Sequence, residues 1–152
     1  MRLLVAAVGR ARGSAAGALY DEYARRMTWP LDLREVEVRQ ALPPPRLKAR
    51  EGELLLATVP KGSRVVVLDE TGRNLDSAAF AALLGGWRDE RVPQAAFLIG
   101  GADGHDDPVR AAADLTLSFG TMTWPHLLAR AMLAEQLYRA TTILAGHPYH
   151  RG

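Results

Sequence analysis

The chain has 152 residues, 48% of them hydrophobic, and a formal net charge of +2. A chain of this length folds as one domain and buries roughly two thirds of its unfolded surface, and its apolar content excludes intrinsic disorder. The absence of cysteine excludes disulfides, thiolate metal sites and a cysteine nucleophile. We therefore expect a single domain over residues 1–152.

The amino-terminal segment predicts a soluble, cytoplasmic protein that makes no contact with a membrane. The apolar run that follows Arg2 ends at Val8, which is too short for the core of a secretion signal. Elsewhere no apolar segment reaches the length of a membrane span.

The charge is unevenly distributed along the chain. Residues 1–50 hold ten Arg or Lys against five acidic residues, whereas residues 51–152 hold nine against twelve. Two interpretations remain open for the basic half. It is either ordinary solvated surface, as most charged segments are, or a face that meets the phosphates of a nucleic acid.

Apolar runs and helical patterns alternate along the first half of the chain. The patterns predict a strand at 3–8, a helix at 14–27, a strand over 31–38, a stiff extended break at 41–46 and a helix over 47–59. Three consecutive prolines in the break disfavour a helix there.

The second half continues the alternation. It predicts a strand at 64–69 stopped by Glu70-Thr-Gly72, a helix at 77–88 capped by Ser77, a strand at 94–99 and a short helix at 108–113. A strand at 115–118 and a long helix at 126–145, capped by Thr123, follow. Uninterrupted apolar strands separated by helices indicate an α/β domain with a mostly parallel sheet flanked by helices.

Three segments that follow predicted strands contain small or flexible residues, and open α/β sheets bind ligands at the carboxyl ends of their strands. The segments are 68–72, 99–104 and 119–125. The glycines of the second segment lack the order of a dinucleotide fingerprint or a phosphate-binding loop. That segment is either an ordinary tight turn or a ligand loop, and 119–125 is either a connector or a loop that presents backbone groups to an adenine ring.

The long helix carries apolar residues over much of its circumference, which fits a core helix or one that also faces a second subunit. Glu135 and Arg139 are spaced for a helical ion pair. Arg130 and Arg139 either face a ligand or cover the surface.

The carboxyl-terminal tail is unusually rich in functional groups. His147, Tyr149, His150 and Arg151 follow Gly146 within five positions. Two histidines without a third ligand make a poor metal site, so we expect no metal. Chain ends are usually small and frayed, and this composition favours a tail folded over a functional site.

Seven short motifs occur in a characteristic order over residues 1–151. They are the opening strand 3–9, Glu22-Tyr-x-x-Arg26, Leu68-Asp69 with Gly72, LIGGxxG at 98–104, PHxLxR at 125–130, AExLYRA at 134–140 and HPYHR at 147–151. Together they resemble the RlmH family of SPOUT methyltransferases.

This resemblance implies a SPOUT fold whose carboxyl-terminal segment threads a deep trefoil knot, an exception to the usual absence of knots. It also implies a homodimer, with each active site completed across the interface, and a bent S-adenosylmethionine held in the knot. The family's cofactor pocket falls on Leu68, Gly100, Gly101, Gly104, Gly120, Thr121, Met122, Thr123, Trp124 and Pro125.

The implied reaction methylates N3 of pseudouridine 1915 in helix 69 of 23S rRNA, within the assembled 70S ribosome. The N3–H group is a weak acid and must lose its proton, which requires a suitably placed base. As a hypothesis, Tyr149 or His150 accepts or relays that proton, while Arg139 and Arg151 hold the base or its phosphate.

The chain departs from the family pattern at three positions. Leu127 stands where a second proline is common, Arg73 where lysine is common, and Trp124 where an aliphatic residue is common. Two alternative functions are a non-catalytic knotted module that binds the ribosome or RNA, and a SPOUT methyltransferase that acts on tRNA.

Overall fold

The computed structural model describes residues 1–151, and its centre is a sheet of five strands in the order β2-β1-β4-β3-β5. All four strand pairings are parallel, so every carboxyl end lies at one edge, the carboxyl edge. This confirms the predicted parallel α/β sheet. The strands are β1 (Arg2–Val8), β2 (Leu31–Val36), β3 (Arg64–Asn74), β4 (Gln94–Ile99) and β5 (Leu115–Ser118).

Helices cover both faces of the sheet. Side chains alternate along β1, so that Val5 packs on one face with Tyr20, Phe80 and Leu137, while Ala6 packs on the other with Leu55 and Val109. The first face is covered by α1 (Ala15–Arg26), α3 (Ser77–Asp89) and α5 (His126–Ala145), and the second by α2 (Pro44–Ala57) and α4 (Asp107–Ala111).

A short 3₁₀-helix, Pro148–Arg151, follows α5. Within residues 1–151, no helix combines the length and the apolar character needed to cross a membrane. The trefoil knot implied by the resemblance stays a prediction.

The predicted start of α2 and the predicted N-cap of α3 are both wrong. The break predicted at 41–46 ends early, because Pro44 and Pro45 begin α2. Proline is tolerated in the first turn of a helix, since the backbone N–H groups of that turn have no partner within the helix. Asp76, rather than Ser77, caps α3 by accepting a 2.7 Å hydrogen bond from the Ala79 amide. The Ser77 hydroxyl instead donates to the side chain of Gln136.

The predicted cap of α5 is also wrong. Pro125 occupies the N-cap position without a side-chain hydrogen bond, and the Thr123 hydroxyl donates to Glu70 at 3.2 Å instead. Leu127 nevertheless leaves the start of the helix at the predicted His126.

Strand β3 does not end at Glu70 as predicted. It continues to Asn74 after a register shift, so that Arg73 and Asn74 pair with Leu117 and Ser118 of β5. Residues 69–72, which include the three predicted to stop the strand, form this irregularity. At Gly72 the two backbones approach so closely that a Cβ atom would lie 2.7 Å from the Thr116 carbonyl oxygen.

We expect Gly72→Ala to lower the free energy of unfolding by about 1–3 kcal/mol, because a methyl group there must separate two hydrogen-bonded backbones. The matched control is Gly86→Ala in α3, where no atom lies within 4 Å of the added Cβ. That change is expected to be neutral or stabilising by up to about 1 kcal/mol. Guanidinium unfolding measures both, and equal midpoints would contradict the steric argument.

Candidate active site

The three segments predicted to surround a ligand converge at the carboxyl edge. They line a cavity of about 710 Å³, the carboxyl-edge pocket, whose size suits a small-molecule ligand. Nine of the ten predicted cofactor residues line it: Leu68, Gly100, Gly101, Gly104, Gly120, Met122, Thr123, Trp124 and Pro125. Thr121 lies exposed in the same loop but is not among the lining residues.

The glycine-rich segment forms a tight turn in which two glycines are sterically required. The Gly104 amide donates to the Gly101 carbonyl at 3.0 Å, and Gly104 has a φ of 76°, which disfavours other residues. A Cβ at Gly100 would lie 2.9 Å from the Gly104 carbonyl oxygen. At positions 100, 101 and 104 the turn therefore presents bare main chain at the pocket wall.

Behind this turn lies His105, a buried residue of the pocket wall that the sequence patterns did not identify. Its Nε2 atom lies 3.2 Å from the Leu98 carbonyl oxygen. Burial lowers the pKa of His105 below its ordinary value. We infer a neutral ring that donates from Nε2 and holds the turn against the end of β4.

The loop at 119–125 is held by its own hydrogen bonds. The Ser118 hydroxyl donates to the Gly120 carbonyl at 2.8 Å and accepts from the Gly120 amide at 3.1 Å. The Trp124 ring donates to the Phe119 carbonyl at 3.3 Å. Met122 and Trp124 are 74% and 41% exposed, so this ordered loop presents apolar side chains at the mouth of the pocket.

Acidic groups predominate among the charged residues of the pocket wall. Three carboxylates, those of Asp69, Glu70 and Asp103, line the pocket, whereas Arg110 is the Arg among the lining residues. Asp69 accepts hydrogen bonds from the Thr71 amide and hydroxyl and pairs with Arg110 at 2.9 Å. Although burial raises the pKa of Asp69, these hydrogen bonds outweigh it and hold the pKa below its ordinary value. The wall therefore carries excess negative charge.

A buried ion pair fastens the start of α5 to the carboxyl ends of β1 and β2. Arg130 is wholly buried, pairs with Glu35, and donates to the Val8 and Gly9 carbonyls at 3.4 and 3.3 Å. The full burial of Arg130 makes the surface alternative wrong, and Arg130 is not among the residues that line the pocket. The PHxLxR motif contains Arg130, but nothing in the sequence identifies Glu35, 95 residues away, as its partner.

The same ion pair also affects the neighbouring residue at the pocket wall. His126 lines the pocket, and a Cβ at Gly9 would lie 3.4 Å from its Nε2 atom. Partial burial first, and then the charge of Arg130, lower the pKa of His126 below its ordinary value. His126 is therefore a neutral group at the pocket wall.

The tail folds back on α5 and forms a second cluster, the tail cluster. Arg139 pairs with Glu135 at 2.6 Å, as the spacing predicts, and the Tyr149 hydroxyl donates to Glu135 at 3.1 Å. The Arg139 guanidinium lies 5.1 Å from the centre of the Tyr149 ring. Tyr149 also packs edge-to-face against Tyr138.

None of the four predicted catalytic residues lines the carboxyl-edge pocket of its own chain. Glu135, which holds the tail, lies six residues beyond Ala129, the last residue of α5 that lines the pocket, or about 9 Å along the helix axis. The structure brings Arg139, Tyr149, His150 and Arg151 together in one region and gathers the cofactor residues in another. Residues 1–151 contain no group of three or more His, Cys, Asp or Glu residues that would hold a metal ion.

Tyr149 and His150 of the tail differ in their surroundings. Burial, followed by the neighbouring Tyr23 and Glu135, raises the pKa of Tyr149 well above its ordinary value, so its hydroxyl stays protonated. The Nδ1 atom of His150 is buried and has no hydrogen-bond partner within residues 1–151. An unpartnered imidazole nitrogen is therefore present in the tail cluster.

The fold and the pocket place this chain among known methyltransferases. A family model described as a predicted SPOUT methyltransferase matches residues 1–150. Proteins named ribosomal RNA large subunit methyltransferase H, from Paramagnetospirillum magneticum and Rhodospirillum centenum, are 60% and 58% identical over 151 residues and 99% of each chain. The chain therefore belongs to the ribosomal RNA large subunit methyltransferase H family of SPOUT methyltransferases.

A solved structure shares the fold at low sequence identity. The SpoU methyltransferase AviRb from Streptomyces viridochromogenes, solved in complex with the cofactor AdoMet, superposes with a TM-score of 0.52 at 14% identity. The match covers 92% of this chain and 58% of AviRb. The family model identifies a SPOUT methyltransferase from the sequence, and this superposition confirms the fold from the structure.

Proposed function

We propose that this chain transfers a methyl group from S-adenosylmethionine to N3 of pseudouridine 1915 in helix 69 of 23S rRNA. The carboxyl-edge pocket carries the proposal, because the three segments that line it are those to which the family resemblance assigns the cofactor. The relatives named as large-subunit rRNA methyltransferases match the whole chain, which supports rRNA over tRNA as the substrate. A ribosomal substrate also implies a cytoplasmic location.

The residues of the pocket fit S-adenosylmethionine in size and charge. Leu68, the glycines at 100, 101 and 104, and the loop at 120–125 would hold it through main-chain groups and apolar contacts. The excess of acidic groups in the wall favours a cationic ligand. When bound, the cofactor supplies a methyl group on a positively charged sulfur, which is already activated for displacement.

The tail cluster supplies the remaining groups in this proposal, but from a second copy of the chain. Because Glu135, which holds the tail, lies about 9 Å along α5 beyond Ala129, the last residue of α5 that lines its own pocket, the tail of one subunit would complete the pocket of the other in a homodimer. The exposed Met122 and Trp124 at the pocket mouth provide apolar surface for that contact.

We assign distinct roles to the tail residues in this composite site. His150 accepts the proton of N3–H through its imidazole ring. Tyr149, whose raised pKa keeps the hydroxyl protonated, donates to Glu135 and so holds the tail in position beside the base. Arg139 and Arg151 hold the base or an adjacent phosphate through charged N–H groups.

The test is transfer of labelled methyl from S-adenosylmethionine to 70S ribosomes that lack the modification, with bulk tRNA as the competing substrate. We expect labelling of 23S rRNA only, with the methyl group mapped to N3 of the pseudouridine. Labelling of tRNA would favour the tRNA alternative. Calorimetry that detects no S-adenosylmethionine binding would instead favour a non-catalytic RNA-binding module.

A further inference from the structure

We infer that four cations beside the pocket mouth, Arg12, Arg39, Arg46 and Lys48, form the surface that binds the phosphates of the RNA substrate. We name this surface the basic rim. The inference rests on the proposed function, because it assigns the grip on the RNA whose base enters the carboxyl-edge pocket.

The first part of the basic rim follows the carboxyl end of β1. Arg12 is exposed and lies three residues after Gly9, which contacts the pocket residue His126. Arg10 pairs with Glu37 at 2.8 Å, which joins this loop to the segment after β2. The exposed Arg39 lies two residues beyond Glu37, so Arg12 and Arg39 belong to adjoining segments at the carboxyl edge.

The second part of the basic rim lies at the start of α2. A Cβ at Gly101, in the pocket wall, would lie 3.1 Å from the Glu51 carboxylate, which places residue 51 of α2 level with the pocket. The helix begins seven residues earlier, at Pro44, and these residues extend about 10 Å beyond that level. Arg46 and Lys48 belong to these first turns, beside the pocket mouth.

The rim cations differ from other cations in the same region. Arg10 is neutralised by Glu37, and Arg50 by Glu53. Within residues 1–151, none of the four rim cations has a carboxylate within 4.0 Å. Unpaired Arg and Lys side chains suit phosphate oxygens, which supply most of the sequence-independent affinity for nucleic acids.

The phosphates of an anionic lipid surface would also attract the cations of the basic rim, but RNA fits the position of the rim better. The cations border a pocket that would receive a base, and binding through phosphates positions a nucleic acid without reading its sequence.

The test is the double variant Arg39→Glu/Arg46→Glu. Residue 39 is exposed outside the helices and strands, and an acidic residue in the first turn of α2 favours the helix, so both changes are compatible with folding. We expect the KM for 70S ribosomes to rise roughly tenfold or more and to become less dependent on salt. The calorimetric affinity for S-adenosylmethionine should stay unchanged.

The matched control is Lys61→Glu/Arg91→Asp. Both residues are exposed and unpaired among residues 1–151, but they precede β3 and β4 and therefore lie at the opposite edge of the sheet. Aspartate at 91 tolerates the positive φ of 62° found there. If the rim and control variants raise KM equally, or if the rim variant leaves KM unchanged, the rim assignment is wrong.

A binding measurement separates this inference from the proposed function. A fragment of 23S rRNA that spans helix 69, and vesicles rich in anionic lipid, are titrated against the unmodified, rim and control proteins. Weaker RNA binding by the rim variant alone supports the basic rim, even if methyl transfer fails. A loss of vesicle binding with RNA binding intact would overturn it in favour of a lipid-binding surface.

Discussion

Replacing Glu35 with alanine is expected to lower the free energy of unfolding by about 3–5 kcal/mol, because the change leaves a buried charge without its counter-ion. The Arg130 side chain is only 1% exposed, and without Glu35 its remaining acceptors are the carbonyls of Val8 and Gly9. The Ala11 amide, which donates to Glu35 at 2.9 Å, also loses its acceptor.

Replacing Arg130 is expected to lower the free energy of unfolding less than replacing Glu35. The Glu35 side chain is 31% exposed, so water solvates its carboxylate in part when Arg130 is replaced by methionine. We therefore expect Arg130→Met to cost less than Glu35→Ala, about 1–3 kcal/mol. Urea unfolding measures both, and a larger cost for Arg130→Met would contradict this account of the pair.

Asp32→Ala is the matched control on the same strand. Asp32 pairs with Arg2 at 3.1 Å, but the two side chains are 48% and 58% exposed. Exposed pairs contribute less than about 1 kcal/mol. If Asp32→Ala and Glu35→Ala unfold at the same urea concentration, burial is not what makes the Glu35–Arg130 pair important.

The stability contributed by Glu35 is expected to depend on pH. Burial raises the pKa of Glu35, but hydrogen bonds from Ala11 and Arg130 outweigh it, and the folded pKa lies below the ordinary value of 4.5. A lowered folded pKa means that this stability is fully present above pH 4.5 and is lost as the pH falls further. The difference in unfolding free energy between the unmodified protein and Glu35→Gln should therefore shrink below pH 4.5.

Local patterns predicted the framework of the fold well, because each element depends on residues close in sequence. The limits of β4, β5 and α5 match the predictions, since continuous apolar runs and a long helical pattern define them. The error at the end of β3 occurs where a tertiary contact overrides local preference. Strand β3 extends past Glu70 because β5 continues to pair with it, and no local pattern encodes that pairing.

The candidate site was predictable only in part. A parallel sheet brings the ends of β3, β4 and β5 to one edge, so the convergence of their loops follows from the fold class. The roles of His105 and Glu35 depend on contacts with Leu98 and Arg130, which only the folded chain brings together. The position of the tail away from its own pocket follows from the contact with Glu135, which the spacing of the tail does not reveal.

If a second copy completes each site, two inactive variants should restore activity when they share a dimer. The tail variant is His150→Ala/Arg151→Ala, which keeps the pocket, and the pocket variant is Gly120→Val, which keeps the tail. Gly120 lines the pocket at a φ of 112°, where a branched residue displaces the loop. We expect the tail variant alone to lose at least about 100-fold in turnover, because a positioned base contributes that much or more. The pocket variant alone should lose activity because its displaced loop no longer holds the cofactor.

In a mixed dimer, the intact pocket of the tail variant meets the intact tail of the pocket variant, and one of the two sites is complete. Equal mixing makes half of the dimers mixed, so turnover should recover to about a quarter of that of the unmodified protein. Mixing the tail variant with a second tail variant, Tyr149→Phe/His150→Ala, provides the control and should restore nothing. If the tail instead served the pocket of its own chain, neither mixture would recover, because no subunit would carry both intact parts. Recovery in the first mixture alone therefore distinguishes a site shared between subunits from one built within a single chain.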